Sequence, residues 1–280
     1  MLMVGDPALA WRAAGHMVIA EIAYQRLEPE VAQEVDRLVA VLADFEPKNT
    51  SVQTASLWMD QVQGAGWRSF RRWHYINIPY NAGGLPSVPE VDTDNAVEAV
   101  REAIATFRNP DSPDLAKAIM LRVLLHVAGD LHQPLHATSR ITAEHPKGDR
   151  GGNDFLLLDF EGEPSNLHRL WDGTMGLLPN LEGTEEEAGT VRTLAKKIVS
   201  AAPEDSLPEW QELDPMTWAQ ESFHLATSVV YVGISEGRAP SEVYRVKGQL
   251  VTRRRIALAG YRLGALLTEL VQGTGYVEGE

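Results

Sequence analysis

Four potential metal ligands within eleven residues restrict what this chain can fold into more than any other feature. They lie in the segment L-L-H-V-A-G-D-L-H-Q-P-L-H, at His126, Asp130, His132 and His136. Residues four apart share one face of a helix, so His126 and Asp130 can bind the same ion. A carboxylate beside apolar neighbours would be costly to bury without a cation. The spacing therefore predicts a helix that carries a metal site.

A second His-x-x-x-Asp pair follows at His168 and Asp172. Imidazole with carboxylate is a common ligand set for zinc in hydrolytic sites, and carboxylate-rich sets tend to leave a position open for water. The chain has no cysteine, which excludes disulfides and thiolate ligands and leaves His, Asp and backbone atoms as donors. A zinc-binding protein without catalysis is the alternative, but closed structural zinc sites usually contain thiolates.

Hydrophobic periodicity indicates an all-α fold in one domain. Apolar residues repeat at intervals of three or four along most of the chain, and helix starts are predicted at Pro29, at Thr93 or Asp94, and at Asp214-Pro215. A chain of 280 residues, 44% hydrophobic, can bury one sizeable core, and no apolar run is long enough to span a membrane.

Extended structure has little room in this pattern. The best candidates for strands are residues 75–79 and 155–160, and the second of these turns at Glu161-Gly162. At most a short β-hairpin is therefore expected.

Five motifs in one order carry a resemblance to a known family. They are W-R-A-A-G-H (11–16), W-H-Y-I-N-I-P (73–79), G-D-L-H-Q-P-L-H (129–136), D-R-G-G-N (149–153) and N-L-H-R-L-W-D (166–172). With these motifs the chain resembles the S1/P1-type nucleases. The resemblance implies a mainly helical fold, three zinc ions, and hydrolysis of single-stranded DNA, RNA and 3'-nucleotides to 5'-phosphates by metal-activated water. A related group with the same fold hydrolyses phospholipids, so a zinc phospholipase C is the alternative enzyme.

The resemblance also implies a role for individual residues. One zinc would be bound by Asp60, His74, His126 and Asp130. A second would be bound by His136, His168 and Asp172. The third would be bound by His16, the other oxygen of Asp130, and the α-amino nitrogen and carbonyl oxygen of Trp11. Asp130 and Asn153 would have catalytic roles, and Tyr75 and Asn153 would contact substrate. The family pattern often has an arginine three residues after the first ligand Asp, but this chain has Gln63.

The first ten residues decide whether Trp11 can act as a ligand. They end in A-L-A, a cleavage signature, but are too short for a complete secretory signal. We interpret residues 1–10 as the remnant of a leader and residues 11–280 as the nuclease-like domain, which predicts a secreted or periplasmic protein. The alternative is a cytoplasmic protein with a short disordered tail, in which the third zinc would lose two donors.

The net charge of −14 argues against a protein that holds duplex nucleic acid on a basic surface. We interpret the basic run at residues 253–255 as a solvated helix face rather than a phosphate track. Three zinc ions would add about six positive charges in one place, which suits short or single-stranded substrates. The expected partners are therefore single-stranded nucleic acid or nucleotides, with no obligate protein partner. Eukaryotic members usually carry disulfides, so the absence of cysteine indicates a bacterial-type member.

Overall fold

The fold is organised around a long helix, α6 (Asp114–His132), whose buried second half carries His126 and Asp130. The structure is a computed structural model that describes residues 11–273. The leader remnant expected at residues 1–10 lies outside the described residues. The helices that precede α6 are α1 (Ala13–Tyr24), α2 (Pro29–Ala40), α3 (Val52–Ala55), α4 (Trp58–Gly64) and α5 (Ala96–Arg108). The helices from α6 onward are α6 (Asp114–His132), α7 (Leu167–Asp172), α8 (Ala188–Ala201), α9 (Pro215–Leu225) and α10 (Glu242–Gly273).

Local signals explain where several of these helices begin. Helix α2 begins at Pro29, whose missing N–H costs nothing in the first turn. Asp214 caps α9 by accepting a hydrogen bond from the Thr217 N–H. The cap of α5 is Asn95, one residue after the predicted Asp94, because its side-chain oxygen accepts from both Val97 N and Glu98 N.

The main core is formed by α6 and the helices that surround it. Helix α6 packs against α5 and α10, and α1 packs against α10 and α8. The second half of α6 is buried on every side, so apolar and ligand residues alternate inside the protein rather than on a surface face. The all-α prediction is confirmed. None of the helices within residues 11–273 combines the length and apolar character that crossing a bilayer requires.

The short strands differ in part from the prediction. The expected hairpin is present as β3 (Leu156–Leu158) paired antiparallel with β4 (Pro164–Asn166). A second pair, β1 (Ile78–Asn81) and β2 (Thr138–Ile141), is parallel, so more than one hairpin is present and the strand predicted at 75–79 starts later. Each of these strands follows a turn that carries a candidate ligand, and a hydrogen bond from Ile76 N to His136 O (2.8 Å) joins the two turns. Such a pairing of distant four-residue segments leaves no periodic signal in the sequence.

Candidate metal centre

The eight predicted histidine and aspartate ligands lie together in the structure. They form three groups, two of which share His126, and within each group the donor atoms lie within 4.8 Å of one another. The groups are His16, Asp60 and His126; His74, His126 and Asp130; and His136, His168 and Asp172. Each group could hold a metal ion.

Asp130 lies at the centre of the site and turns its two oxygens in different directions. Its Oδ1 is 3.4 Å from His16 Nε2. Its Oδ2 is 3.2 Å from His74 Nδ1 and 3.4 Å from His126 Nε2. One carboxylate can therefore serve two cations, because each oxygen faces a different set of imidazoles.

Asp60, at the third position of α4, completes the group on the Oδ2 side of Asp130. Its Oδ1 is 3.8 Å from His74 Nδ1 and 3.7 Å from His126 Nε2. The two ring nitrogens are 3.1 Å apart. Two imidazoles bound to one tetrahedral zinc at about 2.0–2.1 Å would hold their nitrogens at a similar separation.

The last group lies between α7 and the turn that follows α6. Asp172 Oδ1 is 3.8 Å from His136 Nε2, and Asp172 Oδ2 is 3.3 Å from His168 Nε2. Gln133 fixes the carboxylate by donating from Nε2 to Asp172 Oδ1 (2.7 Å). This supporting role of Gln133 was not predicted, although the residue lies inside the G-D-L-H-Q-P-L-H motif.

Three of the histidines are oriented by backbone carbonyls. The Nδ1 atoms of His126, His136 and His168 donate to the carbonyl oxygens of Ser56 (2.7 Å), His74 (2.6 Å) and Gly151 (2.7 Å). A proton on Nδ1 leaves the Nε2 lone pair free and directed into the site. This arrangement is typical of imidazoles that bind metals, since the outer hydrogen bond fixes both the tautomer and the orientation of the ring.

Many donor atoms of the site are buried without a hydrogen-bond partner. Buried polar groups normally have a hydrogen-bond partner, so a concentration of unpaired atoms in one place indicates a binding site for a ligand. Within the described residues these atoms include His16 Nε2, Asp60 Oδ1, both oxygens of Asp130, His136 Nε2 and His168 Nε2. The donor set therefore fits bound cations.

Burial shifts the pKa values of the site towards neutral side chains. Desolvation lowers the pKa of His16 to about 3 and that of His168 to about 4, so both imidazoles are in the form that binds metal. Desolvation also raises the pKa of Asp60 to about 7 and the pKa values of Asp130 and Asp172 well above their usual range. These carboxyls can stay ionised at neutral pH only if positive charge is supplied.

Trp11 is held beside this site by its side chain. The indole is completely buried and donates from Nε1 to the carbonyl oxygen of Gly129 (2.9 Å), next to Asp130. The following N–H, of Arg12, donates to the carbonyl oxygen of Asp172 (3.0 Å). Glycine is required at position 129, because a Cβ there would lie 2.9 Å from His16 Nδ1. A free α-amino group on Trp11 depends on residues 1–10, which are outside the described part of the chain.

The D-R-G-G-N segment forms a loop that supports His168. Its buried Asp149 accepts from Arg140 N (2.9 Å) and from the Tyr231 hydroxyl (2.8 Å), and Gly151 supplies the carbonyl that orients His168. The predicted substrate residue Asn153 is half-buried and donates from Nδ2 to the Arg150 carbonyl (2.8 Å).

The other predicted substrate residue, Tyr75, is also half-buried, and its carbonyl oxygen accepts from Ala96 N (3.0 Å). Tyr75 follows His74 directly in the chain. Tyr75 and Asn153 are not members of the three donor groups, and their contacts with substrate remain predictions.

Gly151→Ala should destabilise the protein and weaken metal binding at His168. The backbone at Gly151 has a φ of 64°, and an added Cβ would lie 2.4 Å from the Leu135 carbonyl oxygen. We expect a loss of about 2–3 kcal/mol in the free energy of unfolding, from steric conflict added to the cost of a left-handed residue. Gly162→Ala is the matched control, since Gly162 has a φ of 87° but a Cβ added there would meet no atom within 4 Å. Denaturant unfolding of both variants tests this, and equal losses would contradict the role of the loop.

His132 has a structural role on the opposite side of α6. Its Nδ1 donates to the Ala128 carbonyl (2.7 Å), and its Nε2 accepts from Arg262 Nη1 (3.0 Å). Arg262 and Arg255 share the carboxylate of Glu221. Arg255 belongs to the basic run interpreted as a solvated helix face, and for this residue the interpretation is wrong because its side chain is buried. The carboxylate partner comes from a distant helix, so the sequence around Arg255 carries no sign of it.

Comparison with known proteins gives a consistent result over nearly the whole chain. Endonuclease 1 of Arabidopsis thaliana is 26% identical, with 93% of this chain and 87% of the relative aligned. Nuclease S1 of Aspergillus oryzae is 25% identical, with 95% and 93% aligned, and Nuclease P1 of Penicillium citrinum is 23% identical, with 93% and 97% aligned. The names of these relatives do not favour the phospholipase C alternative. The sequence model of the S1/P1 nuclease family matches residues 11–272. The chain therefore belongs to the S1/P1 nuclease family.

Proposed function

We propose that this protein is a zinc-dependent phosphodiesterase that hydrolyses single-stranded DNA and RNA to products with 5'-phosphates and that also releases phosphate from 3'-nucleotides. The observation that carries the proposal is that members of all three donor groups meet at Asp130, whose oxygens lie within 3.9 Å of ring nitrogens of His16, His74, His126 and His136. Both Asp130 oxygens and several imidazole nitrogens of these groups are buried without a hydrogen-bond partner. The nuclease and endonuclease names of the relatives support the choice of phosphodiester substrates.

The metal content that we propose is three zinc ions per chain. Imidazole and carboxylate without thiolate is a donor set that zinc uses in catalytic sites. Asp60, His74, His126 and Asp130 would hold one ion, His136, His168 and Asp172 the second, and His16, Asp130 and Trp11 the third. Bound zinc lowers the pKa of a coordinated water to about 7 and polarises phosphoryl oxygens as a Lewis acid.

The side chains of this site are suited to holding cations rather than to moving protons. The low pKa values of His16 and His168 keep them neutral at working pH, and neutral imidazole is a donor of an electron pair. His126, His136 and His168 are further prevented from turning by their Nδ1 hydrogen bonds to carbonyl groups. We assign the bridging role to Asp130, and we assign to Asn153 and Tyr75 a hydrogen bond to the substrate and a stacking contact with its base.

The role of Trp11 requires cleavage of the chain after Ala10. We propose that the mature enzyme is exported and begins at Trp11, so that its α-amino nitrogen and carbonyl oxygen complete the His16 group. The buried indole and its hydrogen bond to Gly129 support this, because they fix the Trp11 side chain against the residue that precedes Asp130. An amide nitrogen in a longer chain cannot supply the free amine that this coordination needs.

Product analysis tests the proposed function directly. The purified protein should release phosphate from 3'-AMP and should convert single-stranded DNA and RNA to products that carry 5'-phosphates. A short-chain phosphatidylcholine should not be hydrolysed at a comparable rate. Hydrolysis of the phospholipid without release of phosphate from 3'-AMP would contradict the proposal and support a phospholipase C.

The enzyme should cleave single-stranded substrates at least about tenfold faster than duplex of the same sequence at roughly 0.1 M salt. A chain with a net charge of −14 lacks the basic surface that holds a duplex, whereas a local cationic site can bind one splayed nucleotide. Initial rates on a single-stranded oligonucleotide and on its annealed duplex test this. Equal rates would show that the acidic surface does not limit substrate choice.

A further inference from the structure

The segment that connects Asp60 to His74 carries a surface that the proposed chemistry does not use. Residues 67–73 read W-R-S-F-R-R-W, with three arginines, three aromatic residues and no acidic residue in a chain whose net charge is −14. We call these residues the arginine–aromatic rim.

Ring contacts attach the rim to both elements that carry the neighbouring candidate ligands. The ring centroids of Trp67 and Phe70 are 5.3 Å apart, and those of Phe70 and Trp73 are 5.2 Å apart. Trp58, two residues before Asp60 on α4, contacts Trp67 and Phe70 at 6.0 and 5.4 Å. Trp73 directly precedes His74. The rim is therefore packed as a row of rings at the edge of the metal centre rather than as a loose loop.

Trp67 is the exposed member of this row. It keeps 49% of its surface accessible although two other rings support it, and its Nε1 donates to Ser69 Oγ (3.0 Å). Among the exposed large hydrophobic side chains within residues 11–273, only Trp67 and Phe45 are aromatic. A supported and half-exposed indole is suited to stacking, because it offers a ring face with little loss of side-chain freedom.

Two arginines of the rim are available for anions. Arg72 pairs with Asp92, whereas the side chains of Arg68 and Arg71 are exposed and have no hydrogen bond or ion pair with any described residue. Several exposed arginines elsewhere pair with a carboxylate, as Arg254 does with Glu209 and Arg37 with Glu34, whereas Arg169, Arg192 and Arg238 do not. The segment between Asp60 and His74 thus carries two guanidinium groups, three residues apart in the chain, without a partner among the described residues, and guanidinium groups bind phosphate well.

We propose that the arginine–aromatic rim binds the part of a single-stranded nucleic acid that lies beyond the cleaved nucleotide. Trp67 stacks on a base, and Arg68 and Arg71 bind the phosphates that flank it. This inference rests on the proposed function, and it adds an extended binding surface for which a mononucleotide is too short. A nucleic acid fits better than an anionic membrane, because membrane binding needs an apolar face that inserts and several cations, whereas the rim has packed rings and two free arginines.

Binding to an oligonucleotide that resists hydrolysis tests the rim independently of catalysis. The probe is a fluorescein-labelled phosphorothioate oligothymidylate of about 15 nucleotides, measured by anisotropy with the metal-loaded protein. Trp67→Ala should weaken binding about tenfold, whereas Trp67→Phe, which keeps a ring, should retain most of the affinity. Arg68→Ala with Arg71→Ala should reduce the slope of log Kd against log salt by about 1.4, since each phosphate contact to a single strand contributes about 0.7.

The double arginine variant leaves the ring packing intact, so its result does not depend on the folding of the Trp67 variants. Arg192→Ala is the matched control, because Arg192 is an exposed residue of α8 outside the rim. The slope of log Kd against log salt for this variant should equal that of the wild-type protein. In kinetic assays the Trp67→Ala change should raise the KM for the corresponding cleavable oligonucleotide about tenfold more than the KM for 3'-AMP.

Unchanged affinity and unchanged salt slope in both the Trp67→Ala and the double arginine variants would overturn the inference. The inference would also fail if wild-type protein bound phosphatidylglycerol vesicles, lost that binding in the variants, and showed no affinity for the oligonucleotide. Failure of the proposed function would look different. The wild-type protein would then hydrolyse neither the cleavable oligonucleotide nor 3'-AMP, whatever the binding assay showed.

Discussion

Replacing Asp130 with asparagine should abolish hydrolysis of 3'-AMP and single-stranded DNA and lower the bound metal. Asparagine keeps the shape of the side chain but removes the negative charge, and one of the two donor oxygens becomes an NH₂ group. Because Asp130 is fully buried and its oxygens face His16 on one side and His74 and His126 on the other, two cation positions lose a donor at once. Changing a group that only supports a metal ligand typically lowers metal affinity or activity about 10–100-fold. We therefore expect Asp130→Asn to lower the rate of hydrolysis by more than roughly 100-fold.

His145→Ala is the control for this experiment. His145 lies in the loop after β2 and belongs to none of the three donor groups. The activity and metal content of the His145→Ala variant should stay close to those of the wild-type protein. An Asp130→Asn variant with most of its activity and a full metal content would contradict the bridging role.

Removing metal should destabilise the protein, and the effect should grow as the pH rises from about 6.5 to 8.5. Burial raises the pKa of Asp60 from 3.8 to about 7 in the absence of a cation, and it raises the pKa values of Asp130 and Asp172 as well. Above about pH 4 the metal-free folded protein therefore keeps protons on these carboxyls that the unfolded chain has released. Its free energy of unfolding is larger at low pH and decreases as the pH rises through about 7, the pKa of folded Asp60.

The buried histidines lower the stability of the folded protein at acid pH. Burial lowers the pKa of His16 to about 3 and that of His168 to about 4, so below about 6.5 the unfolded chain binds protons that the folded protein does not. Metal-free protein should thus be most stable near neutrality. Metal-loaded protein should not lose stability on the alkaline side, because the cations hold the carboxylates in their ionised form.

Thermal unfolding with and without a chelator at several pH values measures this effect. Titration of Asp60 at about 7 contributes about 1 kcal/mol over this range, and Asp130 and Asp172 add to it, so the difference in Tm should widen by at least roughly 2 °C between pH 6.5 and 8.5. A chelator that left Tm unchanged at both ends of this range would indicate that the donor groups hold no metal.

The family resemblance named the eight side chains that the structure brings together, and motif spacing predicted two pairs among them. The pairs His126 and Asp130, and His168 and Asp172, follow helical spacing, and each lies on the helix that this spacing requires. Asp60 was predicted only from its place ahead of W-H-Y-I-N, since a carboxylate on a short helix has no signal of its own. The structure brings it within 3.8 Å of His74.

Long-range contacts were the part that the sequence could not predict. The parallel strands, the Gln133 contact with Asp172 and the burial of Arg255 each depend on a partner far away in the chain or on the path of a turn. Local periodicity contains no information about such partners. The Asn95 cap was missed by one residue because aspartate, threonine and asparagine are all good caps and adjacent in this segment.

Metal analysis of the purified protein that begins at Trp11, combined with its rate on 3'-AMP, tests the central claim most directly. The claim is that the connected donor groups around Asp130 form a catalytic centre with three zinc ions. Elemental analysis should give close to three zinc ions per chain, and phosphate release should stop when the zinc is removed and return when it is restored. One zinc or none per chain in a protein that still releases phosphate from 3'-AMP at its full rate would contradict the claim.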